Sequence, residues 1–81
     1  MIMKESAMRR VLSVAEIGEI IRRERKRQGV TQVVAAGLCG VSVHFLSSLE
    51  RGKETSEFSK VLQVLNAMNI RVYLSTPGGE S

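Results

Sequence analysis

His44 and Cys39 are the only histidine and the only cysteine of the chain, and neither has the company that chemistry asks for. A zinc site needs three or four clustered ligands, and a thiol nucleophile needs a base or a cation beside it. The sequence holds no aspartate and no glycine-rich phosphate loop. No catalytic residue, metal ligand or cofactor is therefore expected, and Cys39 reads as core filler. Two other patterns carry usable chemistry. "RRERKRQ", residues 22–28, has five positive charges, and "VSVHFLSSLERGK", residues 41–53, sets His44 among Ser42, Ser47 and Ser48 before Arg51 and Lys53. An imidazole or a hydroxyl can hydrogen-bond a base edge, and lysine or arginine can neutralise phosphates. The net charge of +4 suits a polyanionic partner, although a solvated basic surface has the same composition.

Positioning these groups falls to short elements. Ser13 and Glu16 form an S-x-x-E capping box that predicts a helix start at Val14. Val14, Ile17, Ile20 and Ile21 then recur at helical spacing until Gly29, which predicts a first helix over 14–28. Thr31 caps a second helix, 32–38, ended by Gly40, and Ser42 caps a third, 43–50, ended by "RGK". Thr55 or Ser56 caps a fourth, whose apolar face is Phe58, Val61, Leu62, Leu65 and Met68. The period then changes to two. Ile70, Val72 and Leu74 alternate with Arg71, Tyr73 and Ser75, a half-buried strand over 70–75. Residues 1–12 and 76–81 read as tails around a domain spanning 13–69.

Helices of about eight residues do not persist alone. Side by side across "LCGVS" they make a helix-turn-helix corner, whose second helix has a polar outer face suited to a DNA major groove. An 81-residue domain without an intrachain disulfide gains burial most readily by dimerising. A lone strand points the same way: paired with its two-fold mate through Ile70, Val72, Tyr73 and Leu74, it makes a two-stranded ribbon. The local alternative is pairing with residues 9–12. No apolar run reaches the roughly 20 residues of a membrane span and no secretory leader is visible, so a reducing cytoplasm is expected, with no membrane partner.

The stretches "IGEIIRRERKRQGVTQ", "AAGLCGVS" and "LSSLERGK" resemble the XRE/Cro-type helix-turn-helix family, over residues 14 to about 69. The ending "RGKETSEFSKVLQVLNAMNIRVYLS" is most similar to HipB-type antitoxins. That resemblance implies a mainly α, four-to-five-helix, lambda-repressor-like domain with a C-terminal strand that completes an intermolecular ribbon. It also implies a homodimeric repressor of a palindromic operator, with a HipA-like kinase toxin as partner.

By the same resemblance Arg25 and Glu50 form a buried structural ion pair, and Gln32, beside the Thr31 cap, meets a phosphate, a base edge or both. The outer face of the third helix, past the Ser42 cap, is Val43, His44, Ser47 and Ser48, while Leu46 and Leu49 point inward. His44 and Ser47 are the expected readers, and Val43 can pack on a thymine methyl. Arg51 and Lys53 are the expected phosphate contacts beyond that helix, with one or two more from the basic run. Between Ser42 and Glu50 there is no Arg, Lys, Asn or Gln, so this helix offers no bidentate base contact, and specificity must lean on Gln32, single hydrogen bonds or DNA shape. Val33, Val34 and Leu38 are apolar on the second helix, the first two where the family is usually polar. They fit either a partner surface or local packing with the N-terminal tail. Two rival functions stand beside the antitoxin: a stand-alone phage-type or chromosomal regulator, and a protein-interaction module with incidental DNA binding.

Overall fold

In a computed structural model of the chain, which describes residues 8–79, four helices follow one another: α1 Val14–Arg27, α2 Gln32–Cys39, α3 Val43–Glu50 and α4 Phe58–Ala67. The first three begin at hydroxyl caps. Ser13 Oγ accepts from the Glu16 amide at 3.3 Å, Thr31 Oγ1 from Val34 at 3.2 Å and Ser42 Oγ from Phe45 at 3.0 Å. In the first cap the Glu16 carboxylate takes the amide of Leu12 rather than that of Ser13. All four helices end alike, on a left-handed residue: Gly29, Gly40, Gly52 and Asn69. Around each, two reverse hydrogen bonds tie the following amides to the last turn, as from Gly52 to Leu49 and from Lys53 to Ser48. Asn69 is the one non-glycine in this conformation among the described residues, and asparagine tolerates it best.

The start of α4 departs from the sequence reading. Glu57 precedes the helix without a side-chain cap, and Thr55 Oγ1 instead accepts from the Glu57 amide at 3.0 Å, a local turn that delays the helix. The buried stripe of α4 is Val61, Val64, Leu65 and Met68, while Phe58 and Leu62 are exposed. Val64 sits three residues from Val61 and four from Met68, so the stripe is centred away from Leu62.

The core gathers Ile21 from α1, Ala35, Ala36 and Cys39 from α2, Leu46 and Leu49 from α3, and the α4 stripe. The small residues of α2 keep it close to α3, which it meets at 110°. Gln63 of α4 donates to the carbonyls of Cys39 at 2.7 Å and Gly40 at 3.3 Å, holding the C-terminal end of α2. Gly18 of α1 lies against the backbone of α3: a Cβ there would collide with the Leu49 carbonyl oxygen and sit 3.3 Å from the Glu50 carbonyl carbon. At Gly52 the neighbour is Ala15, 3.0 Å from where a Cβ would stand.

Residues 70–76 form no strand within the single chain, and residues 9–12 do not pair with them. Ile70 packs on the core, whereas Val72, Tyr73 and Leu74 are exposed. A strand exists only through a ladder partner, and the described residues supply none. Among the described residues no single helix is long and apolar enough to cross a membrane. Residues 1–7 of the expected N-terminal tail and residues 80–81 of the C-terminal one lie outside the described residues.

Candidate nucleic-acid interface

Three side chains converge where α1, α2 and α3 meet. Arg25 donates twice to Glu50, from Nε to Oε2 at 2.6 Å and from Nη2 to Oε1 at 2.9 Å. Its third donor, Nη1, reaches the Val30 carbonyl at 2.9 Å. The Glu50 side chain is 1% exposed and that of Arg25 10%. Gln32 completes the set, donating from Nε2 to Glu50 Oε1 at 3.0 Å. Burial pushes the Glu50 carboxyl up, but the hydrogen bonds from Arg25 and Gln32 and the charges of Arg25 and Arg22 outweigh it and hold it below its ordinary value. Fork-to-carboxylate pairing of this kind is strongly directional, so α3 is fixed in rotation against α1.

Gln32 is thus anchored from below at the first position of α2, and only part of its amide is taken. The carboxamide carbonyl and the second N–H remain available, a combination that can meet a phosphate oxygen or a base edge. Thr31 and Ser42 accept the capping bonds through their oxygens, which leaves each hydroxyl hydrogen to donate outward.

On α3, Val43 and His44 are exposed and Ser47 and Ser48 half-buried. Ser47 Oγ accepts from Arg51 Nη1, so two expected contacts act as one unit. Ser48 turns toward α4; its Oγ is buried and has no partner among the described residues. It lines a cleft of about 260 Å³ with His44, Phe45, Lys53 and Lys60. Lys60 Nζ lies 5.7 Å from the centre of the Phe45 ring, and Phe45 is a half-buried wall of that cleft. Lys53 is exposed just past the α3 stop. The structure therefore brings Val43, His44, Ser47 and Arg51 to the outer side of α3, with Gln32 anchored at the start of α2 and Ser48 and Lys53 in the cleft that His44 also borders.

Three positioning residues escaped the sequence reading: Gly18, Gly52 and Gln63. Each matters through an element distant in sequence, and periodicity carries no signal for that. Cys39 is buried and burial raises its thiol above the ordinary value, so it stays protonated. Val33 (66% exposed), Val34 (49%) and Leu38 (71%) form with Gly37 an apolar outer face on α2 that no described residue covers; residues 1–7 of the N-terminal tail, the local partner expected from the sequence, lie outside the described residues.

Comparison with known proteins places this geometry in a family. A family model described as a helix-turn-helix domain matches residues 16–70. An uncharacterized HTH-type transcriptional regulator, y4mF, of Sinorhizobium fredii (strain NBRC 101917 / NGR234), is 39% identical over 70 residues, which is 86% of this chain and 92% of that protein. A chain of a solved HipA-HipB-O2-O3 complex superposes with a TM-score of 0.76 at 16% identity, over 86% of this chain and 99% of the other. The restriction-modification controller protein C.AhdI of Aeromonas hydrophila superposes at 0.63 with 24% identity, over 72% and 84%. Two short helices meeting at 110°, the second tied to α1 by a buried ion pair and to the first through Gln32, and a family match over residues 16–70 leave one assignment: the chain belongs to the helix-turn-helix domain family and is like the HTH-type transcriptional regulators.

Proposed function

We propose that the chain is a homodimeric repressor that binds a palindromic operator in double-stranded DNA. The observation that carries this is the shared carboxylate of Glu50, which orients Gln32 at the start of α2 and α3 itself in one stroke. With α3 in the major groove, His44 and the Ser47–Arg51 unit face base edges and Val43 a thymine methyl, while Thr31, Gln32, Ser42 and Lys53 border the sugar-phosphate strands. Ser48 sits one step back, in the groove wall. Val72, Tyr73 and Leu74, exposed in the single chain, with Ile70 at their base, pair with their two-fold mates as a ribbon. The dimer then sets two copies of α3 about one DNA turn, roughly 34 Å, apart. Such a protein works in the cytoplasm, on the nucleoid.

Fluorescence anisotropy with a duplex covering the DNA upstream of the gene tests this directly. Affinity should fall steeply with salt and exceed that for random duplex by about 10³-fold or more. Equal, weak binding to every duplex would leave only the interaction-module reading.

A second reading, compatible with the first, is that the repressor is the antitoxin of a HipA-like kinase pair. The exposed apolar face of α2 favours a protein partner over a stand-alone regulator. The superposition on a chain of a HipA-HipB complex supports the same partner class through fold alone. If so, tagged protein should recover a kinase-fold protein in stoichiometric amount, and Val34→Glu with Leu38→Glu should lose it while keeping DNA binding. Recovery of the homodimer alone, from cells that express the neighbouring genes, would return the protein to a simple dimeric regulator.

A further inference from the structure

The basic run of α1 divides into two populations. Arg23 is paired with Glu19 at 3.1 Å, Arg27 with Glu24 at 2.6 Å, and Arg25 is buried on Glu50. Arg22 and Lys26 are exposed and join no ion pair among the described residues. They stand four residues apart, hence side by side on the helix, where like charges repel.

Their side of the helix is defined by its contacts. Ala15 meets Gly52, Gly18 meets Leu49 and Glu50, and Arg25 meets Glu50, so these residues form a stripe facing the C-terminal end of α3. Arg22 lies in that stripe, four residues after Gly18 and three before Arg25. Its charge is felt by the Glu50 carboxylate, the group that also holds Gln32. Lys26 follows one turn on, toward the loop that leads into α2. Two cations that join no ion pair among the described residues therefore border the anchored start of α2.

We propose that Arg22 and Lys26 bind the DNA phosphates that flank the start of α2, so that each protomer grips the backbone from α1 as well as from beyond α3. This rests on the DNA-binding reading above. A phosphate strand between them relieves their mutual repulsion, whereas Arg23 and Arg27, already neutralised, gain little from the same strand. The contact is to backbone only and carries no sequence preference.

The test is the salt dependence of binding to a labelled duplex covering the DNA upstream of the gene. Arg22→Gln and Lys26→Gln should each reduce the slope of log K against log salt by about one unit. Affinities for the upstream and random duplexes should fall together and thermal melts should not move. Arg23→Gln and Arg27→Gln, each removing the same charge from the same helix, should change the slope by clearly less. Unchanged slopes for Arg22→Gln and Lys26→Gln overturn the assignment. Equal changes for all four variants overturn it too, since the run then acts as a diffuse basic surface. If the unmodified protein binds no duplex, the repressor reading itself fails, a result distinct from both.

Discussion

Replacing Glu50 by alanine is expected to cost about 3–5 kcal/mol of folding stability, the penalty for stranding a buried partner charge. Arg25 would keep its bond to the Val30 carbonyl but lose both carboxylate bonds in a site where its side chain is 10% exposed. At roughly 0.05–0.15 kcal/mol per residue, an 81-residue chain has roughly 4–12 kcal/mol in all. The loss is therefore roughly a quarter or more of the whole, and urea titration followed by circular dichroism reads it. A melting temperature within a degree or two of the unmodified protein would show that the pair holds nothing.

The pH dependence of the same site has a defined sign. The native Glu50 carboxyl sits below its ordinary value, so the unfolded chain binds the proton more readily. The stability from this group is fully present above the unfolded carboxyl pKa, about 4.3, and is lost as pH falls through the lower native value. Glu50→Gln should flatten that acid limb. Glu19 and Glu24 are lowered as well, by hydrogen bonds from Arg9 and Arg23 and from Arg27 and Gln28 respectively. Their bridges are exposed or nearly so, and salt should suppress their share while leaving that of Glu50.

Replacing the pair together separates stability from recognition. With Arg25→Met and Glu50→Leu an apolar pair fills the site, and stability can return. Gln32 then has nothing beneath it, so DNA affinity should stay impaired in a protein that folds.

What was legible in the sequence was what local chemistry decides. Ser13, Thr31 and Ser42 announce three helix starts because a cap acts on amides three residues away, and Gly29 and Gly40 announce two ends for the same reason. Thr55 misled because the same hydroxyl chemistry also closes turns, and only the course of the chain decides between them. Phe58 and Leu62 fell inside a plausible apolar arc, yet no described element covers them. The Arg25–Glu50 pair spans 25 positions and was visible only through family resemblance. That Gln32 shares its carboxylate was visible to neither route, because it depends on where three helices meet. The stretch 70–75 alternates as a strand should, but a ladder is a property of two strands and the sequence of one shows one side of it.

Gly18 shows how far packing can reverse a local rule. Within a helix, glycine is less favourable than alanine by about 1 kcal/mol, so propensity alone makes Gly18→Ala stabilising. The structure requires the opposite. The added Cβ would overlap the Leu49 carbonyl oxygen, a backbone atom of α3 that cannot swing aside as a side chain could. Either α1 backs away from α3 or the C-terminal turn of α3 distorts, and both strain the Arg25–Glu50 fork. The cost should reach or pass the upper end of the about 1–3 kcal/mol typical of overpacking, a fall in melting temperature of about 10 °C or more for a domain of this size. DNA affinity should fall with it, since the retreat of α1 moves the clamp under Gln32. Gly37 supplies the internal control: it is also within a helix, but nothing lies within 4 Å of its Cβ position. Gly37→Ala should therefore raise stability by up to about 1 kcal/mol. The same substitution, in helices of one protein, is expected to act with opposite signs. If both variants melt higher than the parent, α1 does not approach α3 this closely, and the orientation of α3 must come from its side-chain contacts rather than from the backbone fit at Gly18.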